Sequence, residues 1–123
     1  MKTSIDLAIT AAVAAAFAAP AFAADAEHGK ALYQARCTSC HSIEHQGMGP
    51  AHKGLFGRKA GNVPGFTYSS ALKDSNVVWS EETLDKWLSG PEAFIPGQRM
   101  FVSVPDSAER ADIIAYLAAA TKR

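Results

Sequence analysis

Cys37-Thr38-Ser39-Cys40-His41 is the stretch whose residue types and spacing carry chemistry on their own. Thiols at i and i+3 lie on one side of a helical turn. Each can add to one vinyl group of a haem as a thioether, and the histidine that follows can offer its imidazole to the iron from the same side. C-x-x-C-H is the attachment signature of c-type haem. Three other readings compete. A thioredoxin-like dithiol needs a βαβ context, which the chain does not show. A structural disulfide leaves His41 without a role. A zinc site needs four ligands, and beyond this segment only His28, His45 and His52 remain as histidines. Covalent haem uses both cysteines and the histidine together.

Iron bound by His41 can take a thioether sulfur or a second imidazole as its sixth ligand. After residue 24 the methionines are Met48 and Met100. Met100 closes Ile95-Pro96-Gly97-Gln98-Arg99-Met100, about sixty residues beyond His41, where a Pro-Gly turn can present sulfur to the far face of the ring. Met48 lies seven residues after His41 between Gly47 and Gly49 and reads as loop. His28, His45 or His52 would give bis-histidine ligation, and an open sixth position would suit a small haem peroxidase or gas sensor. Met100 is the favoured ligand.

The rest of the chain must position these groups. Its 123 residues suit one domain. Twelve Lys+Arg balance twelve Asp+Glu, so no electrostatic footprint points to nucleic acid or an anionic membrane. Two cysteines exclude a disulfide-dense scaffold. Hydrophobic residues make up 48%, but much of that is alanine in the first 24 residues, so the working core is poorer than the figure suggests. That first segment reads as a cleaved secretory signal peptide, residues 1–23. Lys2 precedes an apolar run from Leu7 to Ala19, Pro20 breaks it, and Ala21-Phe22-Ala23 supplies small residues for cleavage near Ala23/Ala24. Residues 24–123 then form a single exported domain, in the periplasm. The alternative is a retained N-terminus and a membrane-anchored redox subunit.

Helical signals lie toward the ends. Asp25 can cap a helix to about Arg36, with Gly29, Leu32, Tyr33 and Cys37 on its apolar face. Ser42 to Gly65 holds six glycines and two prolines and reads as loop. Ser69 to Asp74 can form a short helix. Ser80 caps a helix striped by Leu84, Trp87 and Leu88 and stopped by Gly90-Pro91. Asp106 and Glu109 form a capping-box pattern before a last helix carrying Ile113, Tyr116, Leu117 and Ala120. No stretch alternates as a strand. The class is all-α with long loops, and long structureless loops are uncommon in compact domains. A large apolar cofactor serving as core resolves that difficulty.

With these residues in place, the chain resembles class I cytochrome c of the mitochondrial-type and bacterial c2/c550-like branch. Gly49-Pro50, then Gly54-Leu55-Phe56-Gly57-Arg58-Lys59-Ala60-Gly61, Pro64-Gly65-Phe66-Thr67-Tyr68-Ser69, Val78-Trp79-Ser80-Glu81-Glu82-Thr83-Leu84, the Met100 segment and Glu109 to Leu117 follow in family order. The resemblance implies three to five short helices wrapped around one haem c, thioether-linked to Cys37 and Cys40, with His41 and Met100 as axial iron ligands. It implies that the Pro50 carbonyl accepts the free imidazole N–H, and that Arg58, Tyr68 and Trp79 surround the haem propionates. It implies a monomeric one-electron carrier, not an enzyme, docking transiently with membrane and periplasmic redox complexes and with no nucleic acid. The chain departs from the family pattern around Met100. Trp87 replaces a frequent Tyr, Leu72 an Asn, Gln98 a Thr and Val102 an aromatic, and Arg99 stands where a lysine is common. Phe101 to Ala108 contains no Lys or Arg.

Overall fold

The computed structural model describes residues 11–18 and 23–123. The expected leader, with Lys2, Pro20 and both ends of its apolar run, falls largely outside them; residues 11–18 are exposed and form no helix or strand. Five helices follow: α1 (Ala26–Arg36), α2 (Ser70–Lys73), α3 (Glu81–Ser89), α4 (Pro91–Phe94) and α5 (Ser107–Ala120). Strand-like pairing among the described residues is limited to an isolated antiparallel bridge between Lys59 and Val78. No helix of the described residues is long and apolar enough to cross a membrane.

The caps expected from sequence are formed. Asp25 accepts from the N–H groups of Glu27 and His28, each at 3.0 Å, and satisfies donors that the first turn of α1 leaves free. The short helix expected from Ser69 to Asp74 forms as α2, and the structure adds a cap there, Ser69 accepting from Leu72 N–H. Ser80 and Thr83 exchange side-chain and backbone bonds in a complete capping box. The box expected at α5 is only half made. Asp106 accepts from Glu109 N–H at 2.9 Å, but the Glu109 carboxylate forks onto Arg36 of α1 at 2.7 and 3.0 Å. A planar guanidinium offers that carboxylate two charge-assisted bonds, which a single backbone N–H does not match. Helix α4 was not expected, because Gly90-Pro91 reads as a stop. Proline ends α3 and also opens α4 at its first position, where its fixed φ suits a helix and no N–H is needed.

The two terminal helices pack on each other and fix where the C-x-x-C-H segment begins. A Cβ on Gly29 would lie on the backbone carbonyl of Asp112, so only glycine permits this approach. One turn on, Tyr33 is buried and meets Tyr116 at 5.2 Å. Ile113, Ile114 and Leu117 complete the buried face of α5. Helix α3 joins the same core through Leu84 and Leu88. Arg110 holds the two together, donating to Asp85 at 2.7 Å and to the carbonyls of Val104 and Pro105 at 3.0 and 2.9 Å. Val104 N–H donates to Leu88 O at 2.7 Å, which pins the chain that leaves Met100 against α3.

His28 Nδ1 meets Asp112 Oδ2 at 2.7 Å across the α1–α5 contact. This bond raises the His28 pKa above its ordinary 6.5 and holds the Asp112 carboxyl below its usual range. The pair's contribution is therefore complete between about pH 4 and pH 6.5, is lost as pH rises through the raised value of His28, and is lost again as pH falls through the lowered value of Asp112. The thermal midpoint should fall between about pH 6 and pH 9 by less in His28→Gln than in the parent, once both are measured in the same salt. An equal fall in the two proteins contradicts this assignment.

Candidate haem site

Cys37 terminates α1, its N–H donating to Tyr33 O at 2.9 Å. The chain then makes one more turn. Cys40 and His41 N–H both donate to Cys37 O, at 3.1 and 2.9 Å, and Thr38 Oγ1 donates to Gln34 O at 2.7 Å. Both cysteines are partly buried and neither is in a disulfide. Burial pushes the Cys37 thiol up to about 11, against the weaker pull of Arg36.

His41 Nδ1 lies 2.9 Å from Pro50 O. A carbonyl only accepts, so Nδ1 carries the proton and Nε2 keeps its lone pair free. Burial lowers the His41 pKa while the Pro50 carbonyl opposes the shift, and the ring is neutral at neutral pH, as a metal ligand must be. His52 stacks on this ring with centroids 4.3 Å apart and planes 22° from parallel. Its Nδ1 lies 2.9 Å from Tyr33 Oη. Burial, reinforced by His41 and Arg58, holds the His52 pKa down to about 3. A ring stacked on His41 stands beside it and not across an iron from it. His28 and His45 are exposed. Met48 is 82% exposed, as expected of a loop residue.

Met100 packs partly buried against the core that contains Trp79, Trp87 and Ile95. The loop before it is braced by a feature that the sequence did not reveal. Gln98 is 3% exposed. Its amide donates to Glu92 Oε2 at 3.3 Å, while Glu92 Oε1 accepts from Gly97 N–H at 3.0 Å and Gln98 Oε1 accepts from Met100 N–H. One glutamine thus ties the Met100 backbone to Glu92 of α4. After Met100, Phe101 is 87% exposed and Val102 43%.

Of the remaining expected residues, Trp79 is buried, meets Trp87 edge-on at 5.5 Å, and exchanges backbone bonds with Gly57 and Arg58 at 2.8 and 2.9 Å. Arg58 donates to Lys53 O and Ala51 O at 2.8 and 3.2 Å. Tyr68 Oη accepts from Val63 N–H at 3.1 Å, which leaves its own proton free to donate. Burial raises the Tyr68 pKa, and the Val63 N–H and Arg58 act against it. The structure therefore brings Arg58 to Trp79 through the backbone and to Tyr68 through charge.

The donor set fits a covalently held haem. Two thiols sit one turn apart, the imidazole that follows them has its Nε2 free, and a braced loop carries a thioether. The profile of the cytochrome c family matches residues 26–121. The chain belongs to the cytochrome c family. This cytochrome is 43% identical over 96 residues to cytochrome c of Euglena viridis, covering 76% of this chain and 94% of that one. It is 42% identical over 107 residues to cytochrome c2 of Rhodomicrobium vannielii, covering 83% and 85%. Among solved structures it is similar to cytochrome cH from Methylobacterium extorquens, with a TM-score of 0.74 and 39% identity, over 77% of this chain and 98% of that one. It is a monohaem electron-transfer protein, not an enzyme, and carries haem c on the cysteines of its C-x-x-C-H segment, Cys37 and Cys40. Membership also establishes the all-α class expected from the sequence.

Gln98→Ala leaves the part-buried Met100 N–H without its acceptor, while Glu92 keeps Gly97 N–H, at a cost of about 1–3 kcal/mol. Denaturant unfolding of the holoprotein should show that loss. An unchanged midpoint would mean that the brace bears no load.

Proposed function

We propose that this cytochrome holds its iron between His41 Nε2 and the Met100 sulfur, and that it shuttles single electrons between membrane and periplasmic redox complexes after export. The observation that carries this reading is the His41 Nδ1 to Pro50 carbonyl bond at 2.9 Å, which commits the other nitrogen to an acceptor. Such a bond fixes the tautomer and raises the basicity of a ligating imidazole. Haem c supplies a one-electron ferrous/ferric couple when bound, and thioether ligation favours the reduced state.

The side chains divide the remaining work. Cys37 and Cys40 would tether the ring, and Met100 would complete the ligand set with His41 and leave no position on the iron for a substrate. Arg58, Tyr68 and Trp79 offer a guanidinium, an O–H and an N–H to the propionates, which as buried carboxylates need donors. The Gln98 brace keeps the methionine in place through its backbone. Docking is transient and small, as redox encounters tend to be, and the carrier acts as a monomer. Export rests on the leader pattern of residues 1–23, with cleavage near Ala23/Ala24.

The purified exported holoprotein should give a low-spin spectrum with a sulfur-to-iron charge-transfer band when oxidised, and should bind carbon monoxide slowly or not at all when reduced. Met100→Ala should lose the band and bind carbon monoxide readily. A parent that already binds it rapidly would have an open sixth site, and the carrier reading would fall to a sensor or peroxidase. N-terminal sequencing should begin at Ala24 or Asp25; a retained Met1 would make this a membrane-anchored subunit.

Arg99 carries a second prediction. Arginine stays protonated and does not replace a methionine on iron. In the parent, any alkaline replacement must come from a more distant lysine such as Lys73 or Lys86, and Lys86 is engaged with Glu82 at 2.8 Å. Arg99→Lys should therefore lose the charge-transfer band at lower pH than the parent. The same alkaline midpoint in both refutes this.

A further inference from the structure

The pair formed by His52 and Tyr33 is not explained by attachment or by ligation. An imidazole withdrawn from water, as the partly buried His52 is, is costly unless it is hydrogen-bonded, and an apolar side chain would fill the same space without that condition. Here the condition is met by Tyr33 Oη at 2.9 Å. Tyr33 is itself 2% exposed and fixed in the α1–α5 contact by Tyr116. His52 is thus anchored at one edge, and it lays its face on His41 with centroids 4.3 Å apart and a 22° tilt.

The His41 ring needs such a contact. Its bond to Pro50 fixes the direction of Nδ1 but is a single point, about which the plane can still turn. Gly49 limits that turn, since a Cβ there would lie well inside 3 Å of three atoms of the His41 ring. His52 supplies the flat surface that defines the plane. We infer that His52 is a positioning residue for the proximal ligand: stacked on His41 and held by Tyr33, it fixes the rotation of the His41 imidazole and links it to the contact between the terminal helices. The inference rests on the reading of His41 as an iron ligand.

Ferric holoprotein provides the test, because the hyperfine shifts of the haem methyls report the orientation of an axial imidazole plane. In the parent, the iron-shifted ring protons should be those of His41. If they belong to another histidine, the ligand assignment falls and this inference with it. With His41 confirmed, His52→Leu should alter the pattern of methyl shifts and raise the midpoint potential, because an apolar neighbour favours the less charged ferrous state. Tyr33→Phe removes a single oxygen and leaves the packing intact. It should move the pattern in the same direction, and combining it with His52→Leu should add little. His52→Phe keeps a flat ring and should restore most of the parent pattern. Tyr116→Phe should leave it unchanged. A parent-like pattern and potential in both His52→Leu and Tyr33→Phe, with the low-spin spectrum retained, would overturn the positioning role alone.

Discussion

The approach of α1 to α5 is set by a steric condition at one residue, and the haem site inherits its geometry from it. Gly29 lets the backbone of α1 rest on the Asp112 carbonyl. Tyr33 is then buried one turn later, and Cys37 ends the helix one turn after that. Any side chain at residue 29 would push the helices apart and carry the attachment turn with them. The polar bonds around the contact, from Arg36 to Glu109 and from His28 to Asp112, are partly exposed and add little energy by themselves. They specify register, while the apolar burial of Tyr33, Ile113, Ile114 and Leu117 supplies the stability.

A second constraint acts on polarity. The site brings together groups that all avoid charge or keep it paired. His41 and His52 are held neutral by burial, and the Tyr33 phenol is pushed far above its ordinary value for the same reason. Arg58 is the nearby cation, and it spends two of its five donors on the carbonyls of Lys53 and Ala51. No buried side-chain nitrogen or oxygen among the described residues lacks a partner. An environment of this kind changes little when one charge is added to or removed from its centre, which is what an electron carrier requires.

Much of this was legible in the sequence because it depends on local rules. Asp25, Ser80 and Asp106 announce helix starts by capping chemistry, which acts over three residues. C-x-x-C-H is a spacing rule within one turn. The His41 to Pro50 bond spans nine residues and was expected only through resemblance to the family. What the sequence hid was non-local or ambiguous. Gly90-Pro91 is a valid stop and equally a valid start, so α4 was missed, and with it the Glu92 to Gln98 to Met100 brace. The bond between Tyr33 and His52 joins a helix to a loop 19 residues away, with no periodicity to signal it. Glu109 looked committed to its own helix cap until the fold placed Arg36 within reach.

The exposed ring of Phe101, beside Val102 in a stretch from residue 101 to 108 without a cation, has a physical corollary. A surface of that kind offers no cation to an acidic partner. With positive and negative residues in equal number over the whole chain, the protein also has no formal net charge to speed an encounter. A contact made there gains from the water that the apolar side chains shed, and such adhesion survives changes of ionic strength that would dissolve a contact made between opposite charges.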